Sequence, residues 1–395
     1  MIKKAFIVSL AMATWAFAVL GQQQTADGGY VICGTSDSFT NGYDDALVYK
    51  LTATGAKEWR KNYGGEGYDN GSVIRQTADG GYILAGSSDS YSTGSKDFIV
   101  YRLDAAGNKL WRRTYGGDSI EKLESVVQTN DGGFVIAGHT FTYSNGDYDL
   151  LVYKLDAAGN KQWRKNYGGS EGEGGGYIEQ TADGGYILGG WSRSYSSGES
   201  DFLVYKLTAS GAKEWRKNYG GTGNDVAKSI YQTADGGYVI AGTTNSYVHA
   251  FTLPPPAGDI LVYKLSASGQ KEWRKNFGGT ANEHGFDARQ TADGGYILCG
   301  DTLHYTNGSD DILVYRSDAA GNKLWRKNFG GVGWDNGYRI FQTADGGYLV
   351  FGDTQSYSQT GADADLLVYK VDADGSKAWR KNYGGSGYEY SGGNS

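Results

Sequence analysis

One unit of sequence is repeated seven times along this chain, and this repetition restricts the possible folds more than any other feature. Successive units start 52 residues apart, except for one interval of 58 residues between the fifth and the sixth. The units start at Gln24, Gln76, Gln128, Gln180, Gln232, Gln290 and Gln342. A fixed period of this length is typical of solenoids, propellers and linear arrays.

Each unit contains four segments with β-strand character and no helical periodicity. In residues 72–117 the segments are "SVIRQT", "YILAGSS", "DFIVYRL" and "KLWRRTY". The turns "ADGG" and "DAAGN" supply the glycines that tight hairpins need, and a longer loop, "DSYSTGSK", joins the second and third segments. These two middle segments are almost entirely apolar, so both faces of the sheet must be covered.

A four-stranded sheet that is covered on both faces and repeated seven times predicts an all-β fold, a seven-bladed β-propeller of four-stranded antiparallel blades. We expect a single domain over residues 22–395. A parallel β-helix would use shorter coils, and a linear array of sandwiches would show alternating strands. The sequence does not decide which terminus supplies the first strand of blade one, because "VLGQQ" before Gln24 and the tail "SGYEYSGGNS" both have weak strand character. We therefore expect blade one to be the loosest.

The fourth strand of every unit carries one tryptophan. These residues are Trp59, Trp111, Trp163, Trp215, Trp273, Trp325 and Trp379. The stretch "LDAAGNKLWR" resembles the tryptophan-docking motif of quinoprotein-type propellers, which implies that each indole docks against the adjacent blade. The whole unit, with "QTxDGGY" and "WxKxYGG", resembles the repeats of secreted bacterial β-propeller proteins. That resemblance implies an architecture and no particular activity.

The N-terminus has the pattern of an export signal. Lys3 and Lys4 precede an apolar run, and Ala16-Phe17-Ala18 provides a small-x-small cleavage site. We predict a signal peptide over residues 1–21 and a protein that is secreted or held at the cell surface; an uncleaved N-terminal anchor is the alternative.

The two cysteines occupy the same position in separate repeats. Because a disulfide needs Cα atoms within about 7 Å, we expect Cys33 and Cys299 to be buried free thiols.

Several classes of function find no support in the sequence. The net charge of −7 predicts no general attraction to nucleic acid. Four scattered histidines show no metal-ligand spacing, and no glycine-rich phosphate loop opens a helix. We therefore expect a monomer with no metal, no cofactor, no catalytic residue and no nucleic-acid partner. A basic pair follows each tryptophan, and we interpret it as protection of an exposed strand edge, the alternative being contacts along a phosphate backbone.

The loop between the second and third strands and the "YGG" connection should lie on one face, which makes that face the expected binding surface. Two residues recur in this loop. An aspartate directly before the third strand is interpreted as satisfying loop amides: Asp45, Asp97, Asp149, Asp201, Asp259, Asp311 and Asp365. An aromatic residue is interpreted as a plug for its own blade, the alternative being a binding ring: Phe39, Tyr91, Tyr143, Tyr195, Tyr247, Tyr305 and Tyr357.

Residues that occur in only one repeat are candidates for function, together with some of the loop aromatics. The predicted ligand-binding residues are Trp191, Trp334, Tyr195, Tyr247, Phe251, His284, His304 and Tyr357. Phe251 belongs to an insertion at residues 248–258 that contains all three prolines. This insertion suits recognition of a partner, the alternative being an insertion without a role.

The predicted function is a non-catalytic binding or scaffold propeller that recognises an extracellular glycan or protein. One alternative is an exported enzyme acting on polysaccharide, a hydrolase or lyase, for which Glu171 and Glu173 form one candidate carboxylate pair. A cell-surface adhesion component is the other. Two carboxylates gathered at the channel mouth would favour the enzyme.

Overall fold

The computed structural model describes residues 23–40, 42–248, 258–303, 306, 308–358 and 363–391. The predicted signal peptide, Phe251, His304, Tyr305 and most of the 248–258 insertion lie outside these residues. Over the part of the chain described, the fold contains strands and turns and no helix.

The strands form seven antiparallel sheets, and we number them along the chain. Blade one contains β1 (Gln23–Gln24), β2 (Tyr30–Ser36), β3 (Asp45–Leu51), β4 (Lys57–Tyr63) and the C-terminal β29 (Glu389–Tyr390). Blade two contains β5 (Asp69–Gln76), β6 (Tyr82–Ser88), β7 (Asp97–Leu103) and β8 (Lys109–Tyr115). Blade three contains β9 (Glu121–Gln128), β10 (Phe134–Thr140), β11 (Asp149–Leu155) and β12 (Lys161–Tyr167). Blade four contains β13 (Glu173–Gln180), β14 (Tyr186–Ser192), β15 (Asp201–Leu207) and β16 (Lys213–Tyr219).

The remaining three blades repeat the same order from the inner to the outer strand. Blade five contains β17 (Asp225–Gln232), β18 (Tyr238–Thr244), β19 (Asp259–Leu265) and β20 (Lys271–Phe277). Blade six contains β21 (Glu283–Gln290), β22 (Tyr296–Thr302), β23 (Asp311–Ser317) and β24 (Lys323–Phe329). Blade seven contains β25 (Asp335–Gln342), β26 (Tyr348–Thr354), β27 (Asp365–Val371) and β28 (Lys377–Tyr383). The predicted seven-bladed propeller is confirmed.

The local sequence explains the hairpins of each blade. The middle strands β6 and β7 are buried along their whole length, as their apolar composition predicts. Gly80 in the "ADGG" turn has a φ of 84° and Gly107 in the "DAAGN" turn has a φ of 76°. These conformations suit glycine because it has no Cβ, so the two turns specify where the strands reverse.

Each blade is covered by its neighbours. One apolar cluster joins blades one and two, the next joins blades two and three, and a cluster that includes Tyr30 and Phe351 joins blades one and seven. The outer-strand tryptophans contribute to these contacts. Trp59 of blade one packs edge-on against Tyr82 of blade two, with ring centroids 5.8 Å apart, and it also contacts Gly107. Trp59 is partly buried by this contact, which makes adjacent blades depend on one another for stability.

The two ends of the chain close the ring together. β1 pairs with the first part of β2, where Gln23 lies opposite Val31, and β29 pairs with its last part, where Tyr390 lies opposite Thr35. The innermost position of blade one is therefore shared between the N-terminal and C-terminal segments, an arrangement that the sequence left open.

The predicted thiols are confirmed, because Cys33 and Cys299 are both free and buried. Burial raises the pKa of each thiol, which favours the protonated and unreactive form. In the described ranges, no helix has the length and apolar character needed to cross a membrane.

Candidate functional site

The loop-rich face is organised by the recurring loop aromatics. In blade two the Tyr91 hydroxyl donates a hydrogen bond to the carbonyl oxygen of Gly64 at 2.6 Å, in the connection from blade one. The guanidinium of Arg112 covers the Tyr91 ring at 3.4 Å from its centroid. Tyr143, Tyr195, Tyr247 and Tyr357 make the same hydroxyl bond to the preceding connection, which agrees with the plug interpretation for these residues. Phe39 has no hydroxyl, but the first residue of its basic pair, Arg60, stacks on its ring as Arg112 does on Tyr91.

Pairs of buried carboxyl groups lie under the same face, one pair at each junction between blades. The Oδ2 atom of Asp97 accepts a hydrogen bond from the backbone N–H of Thr93, which supports the loop-amide role predicted for this residue. Its Oδ1 atom faces Glu121, the first residue of the next inner strand. A methyl group added to Gly116 would overlap both Asp97 Oδ1 and Glu121 Oε2, so the glycine makes room for the pair.

The second member of these pairs recurs in all seven repeats and was not predicted as such. The residues are Asp69, Glu121, Glu173, Asp225, Glu283, Asp335 and Glu389, all fully buried. Glu173 was considered only as the partner of Glu171 in a candidate catalytic pair, but Glu173 is buried beside Asp149 whereas Glu171 is exposed. Glu121 accepts hydrogen bonds from Thr140 Oγ1 at 2.7 Å and from the backbone N–H of Gly117 at 2.9 Å. Burial, with Glu121 nearby, raises the pKa of Asp97. The two carboxyl groups are therefore placed to share one proton, and we assign the pair a structural rather than a catalytic role.

Charged side chains from the inner strands meet in the central channel. Arg75 of blade two and Glu179 of blade four form an ion pair at 2.9 Å, which crosses the channel because these blades are not neighbours. Arg289 pairs with Asp287 at 3.0 Å and donates to the Tyr231 hydroxyl at 2.7 Å. Because these side chains fill the interior of the channel, a ligand would bind at the loop-rich mouth of the channel and not among them.

A cleft of about 280 Å³ opens at the junction of blades seven and one. It is lined by Trp334, Asn336, Tyr338, Asp353, Ala364, Tyr388, Tyr390 and Ser391. Four of these eight residues are aromatic, one is an acid, and none is basic. Flat aromatic walls with a few polar groups at defined positions suit a sugar ring, which has apolar faces and hydroxyl groups around its edge.

Asp353 is the ionisable group of the cleft. It is only 3% exposed, and burial raises its pKa to about 7. Its Oδ1 atom accepts a hydrogen bond from the backbone N–H of Ser391 at 2.5 Å, so it also holds the C-terminal strand in place. At the equivalent position of other blades, Thr35, Ser87 and Thr243 accept the corresponding backbone hydrogen bond. A carboxyl group at this position can exchange a proton near neutral pH, which a hydroxyl cannot do.

A second acid lies close to the cleft on blade six. His284 Nδ1 and Asp301 Oδ1 are 2.7 Å apart, and this hydrogen bond raises the pKa of the histidine. Burial, followed by the charges of Asp353 and Asp301, raises the pKa of Tyr338. Tyr338 thus connects the cleft electrostatically to the His284–Asp301 pair.

The predicted site residues are dispersed over the face. Trp334 lines the cleft. His284 is connected to the cleft indirectly, because it bonds to Asp301, whose charge acts on the cleft residue Tyr338. The rings of Tyr195, Tyr247 and Tyr357 are each covered on one side by an arginine of their own blade, at 3.3–3.6 Å. Their hydroxyls donate to glycine carbonyl oxygens, so these tyrosines have the plug geometry already described.

Trp191 belongs to a separate aromatic group on blades three and four. Its ring packs edge-on against Tyr148 at 5.6 Å between centroids, and Tyr148 also contacts Phe141 at 4.9 Å. The indole lies over Gly174, where any side chain would collide with it. Trp191 and Trp334 are therefore not brought together.

Asp353, Tyr388 and Tyr390 of the cleft were not predicted as site residues. The sequence could have indicated Asp353, because its repeat position varies between blades: the other blades carry Thr, Ser, His, Trp or Asp there. Tyr388 and Tyr390 belong to the tail, whose role depended on how the ring closes. In the described ranges, no group of three or more His, Cys, Asp or Glu side chains is placed to hold a metal ion.

Comparison with known proteins supports the fold. No family model and no curated protein matches the chain. A puromycin hydrolase S511A mutant complexed with PGG is similar with a TM-score of 0.57 at 10% identity, over 92% of this chain and 54% of that one. The present chain thus spans about half the length of that hydrolase.

Two solved propeller domains are similar over most of both chains. The β-propeller domain of the Trilobed protease from Pyrococcus furiosus gives a TM-score of 0.51 at 10% identity, over 93% of this chain and 95% of that one. The Neurospora crassa Pan2 WD40 domain gives 0.50 at 12% identity, over 85% and 86%. At these identities the similarity establishes the propeller fold and leaves both binding and enzymatic roles possible.

Proposed function

We propose that this protein is a secreted binding propeller that takes a neutral saccharide into the cleft between blades seven and one. The observation that carries the proposal is the lining of that cleft, in which Trp334, Tyr338, Tyr388 and Tyr390 surround Asp353 without any basic residue. Aromatic rings offer stacking surfaces to sugar rings, and the carboxyl group offers hydrogen bonds to hydroxyls. An acidic glycan would meet no cation among these lining residues.

An exported protein would meet a saccharide ligand of this kind outside the cell. The predicted signal peptide and the resemblance to repeats of secreted bacterial propellers both support an extracellular protein that meets a glycan outside the cell. A protein ligand and a role in surface adhesion are the alternatives that the sequence analysis raised, and both would use the same face.

A retention assay on insoluble polysaccharides tests the proposal. The mature chain is incubated with cellulose, chitin, xylan and β-1,3-glucan, and bound and free protein are separated by centrifugation. We expect retention on at least one polymer, and Trp334→Ala should remove it. Trp191→Ala is the matched control, because it truncates an indole on the same face outside the cleft. Failure of the wild type to bind any polymer, or equal retention of both variants, would reject the cleft as a saccharide site.

The chemistry of Asp353 favours one second candidate, an enzyme that cleaves polysaccharide. A carboxyl group with a pKa of about 7 can act as a general acid at neutral pH, and Asp301 supplies a second carboxyl group near Tyr338. Release of reducing ends from the retained polymer, abolished in Asp353→Asn, would establish this activity. Retention without release in the wild type would establish a binding protein.

A further inference from the structure

The residue directly before each inner strand holds the same backbone position in all seven blades. In blade two the carbonyl oxygen of Tyr68 accepts a hydrogen bond from the N–H of Asp89 at 3.1 Å. The carbonyl oxygens of Trp334 and Tyr388 accept the equivalent bonds at 2.9 and 3.2 Å. The side chains at this position therefore project from equivalent places around one face of the ring.

Three neighbouring blades place a large aromatic residue at this position. These are Trp334 in blade seven, Tyr388 in blade one and Tyr68 in blade two, whereas the other blades carry Ile120, Gly172, Asn224 and Asn282. The rings are accessible, since Tyr388 is 48% exposed and Tyr68 is 43% exposed. Aromatics on consecutive blades form a track along one arc of the face, and the remaining arc lacks one.

Tyr43 enlarges the end of this track. Its ring is 61% exposed and stacks on Tyr68 with centroids 4.7 Å apart and planes inclined by 12°. The neighbouring Asp44 accepts a hydrogen bond from the hydroxyl of Tyr390, a cleft residue, at 2.9 Å. The cleft and the Tyr43–Tyr68 platform are thus linked through one hydrogen bond. We call the set Trp334, Tyr388, Tyr68 and Tyr43 the aromatic arc.

We propose that the aromatic arc binds an extended chain of neutral sugar units, which runs from the cleft over Tyr388 to the stacked Tyr43–Tyr68 pair. This inference rests on the proposed function and adds the ligand class, a polymer rather than a single sugar. Successive units would stack on successive rings. The carboxylates of the neighbouring Asp44 and Asp89 would accept hydrogen bonds from sugar hydroxyls and would repel an anionic polymer.

Calorimetric titration with oligosaccharides tests the arc. The probes are fragments of two to eight units cut from whichever of the four polymers retains the protein. We expect the wild-type affinity to increase with length until the arc is covered. The Tyr43→Ala/Tyr68→Ala double variant should bind the longest fragment about tenfold more weakly, a change of about 1.4 kcal/mol, and the shortest fragment equally well. Both rings are exposed, so the fold should be retained.

Two further variants separate the possible failures. Ile120→Ala truncates the equivalent position of blade three and should leave every affinity unchanged, whereas Trp334→Ala should weaken short and long fragments alike. An affinity independent of length, or a double variant that behaves like Ile120→Ala, would overturn the extended arc while the cleft stands. Absence of binding by the wild type to every polymer would overturn the cleft and the arc together.

Discussion

The guanidinium of Arg112 covers the ring of Tyr91 at 3.4 Å, while the Tyr91 hydroxyl is bonded to the carbonyl oxygen of Gly64 in the preceding connection. Two elements that recur separately in the sequence, a basic residue after the tryptophan and an aromatic in the loop, thus form one fastening between blades. The fastening explains why an aromatic residue recurs at this loop position from repeat to repeat within this chain.

Removing this fastening should destabilise the protein modestly. Tyr91→Phe loses the hydroxyl bond to Gly64, and Arg112→Ala loses the stacking; each should cost about 1 kcal/mol. Thermal unfolding monitored by circular dichroism measures the change. Arg113→Ala is the control, because Arg113 is exposed and its loss should change stability by less than about 0.5 kcal/mol. Equal effects of the Arg112 and Arg113 variants would contradict the stacking role.

The buried carboxyl pair of Asp97 and Glu121 gives a second prediction. Asp97→Asn should preserve stability, because the amide can still accept from Thr93 and can donate to Glu121 as a protonated carboxyl would. Glu121→Gln should cost about 1.5–3 kcal/mol, because two hydrogen bonds to a charged acceptor are weakened. Melting temperatures at pH 6 measure both variants. Greater damage from Asp97→Asn than from Glu121→Gln would contradict this division of roles.

Asp353 should make the stability depend on pH. Its pKa of about 7 lies above that of an exposed aspartate, so the neutral carboxyl stabilises the fold at low pH, and this contribution is lost as the pH rises through about 7. Asp353→Thr, which copies Thr35 and Thr243, should therefore flatten the decline of the melting temperature between about pH 4 and pH 7. Ser87→Thr at the equivalent position of blade two should leave the decline unchanged. A wild-type profile that rises over this interval would contradict the assignment.

The ion pair across the channel should behave as a coupled unit. Arg75→Met or Glu179→Met alone leaves a buried charge without its partner, which should cost about 3–5 kcal/mol. The double variant should be more stable than either single variant. Glu124→Gln is the control, since its ion pair with Lys122 is partly exposed and 3.9 Å long. Additive losses in the double variant would show that the two side chains do not act on each other.

The repeat and the apolar middle strands predicted the architecture because every blade must cover the faces of its neighbours. Residues that recur in all seven units, such as Asp97 and Tyr91, could be interpreted before the structure was known. Glu121 recurs as regularly and was missed, because its partner Asp97 lies on the preceding blade and the two carboxyl groups meet only when the two blades pack together.

The candidate site was harder to predict than the fold. Trp334 could be selected because it occurs once, but the other walls of the cleft come from the C-terminal tail. Tyr388 and Tyr390 acquire their positions only when β29 pairs with β2 and closes the ring. Asp353 becomes a site residue for the same reason, since its neighbour Ser391 lies on that closing segment. These relationships depend on contacts between the two ends of the chain, which repeat comparison cannot supply.

Hydrogen exchange measured by mass spectrometry, with and without the longest bound oligosaccharide, tests the central claim most directly. The account predicts slower exchange in peptides that cover residues 332–338 and 386–391, with no change in the "ADGG" turns on the opposite face. Protection confined to those turns or to the outer strands would contradict a saccharide site at the junction of blades seven and one.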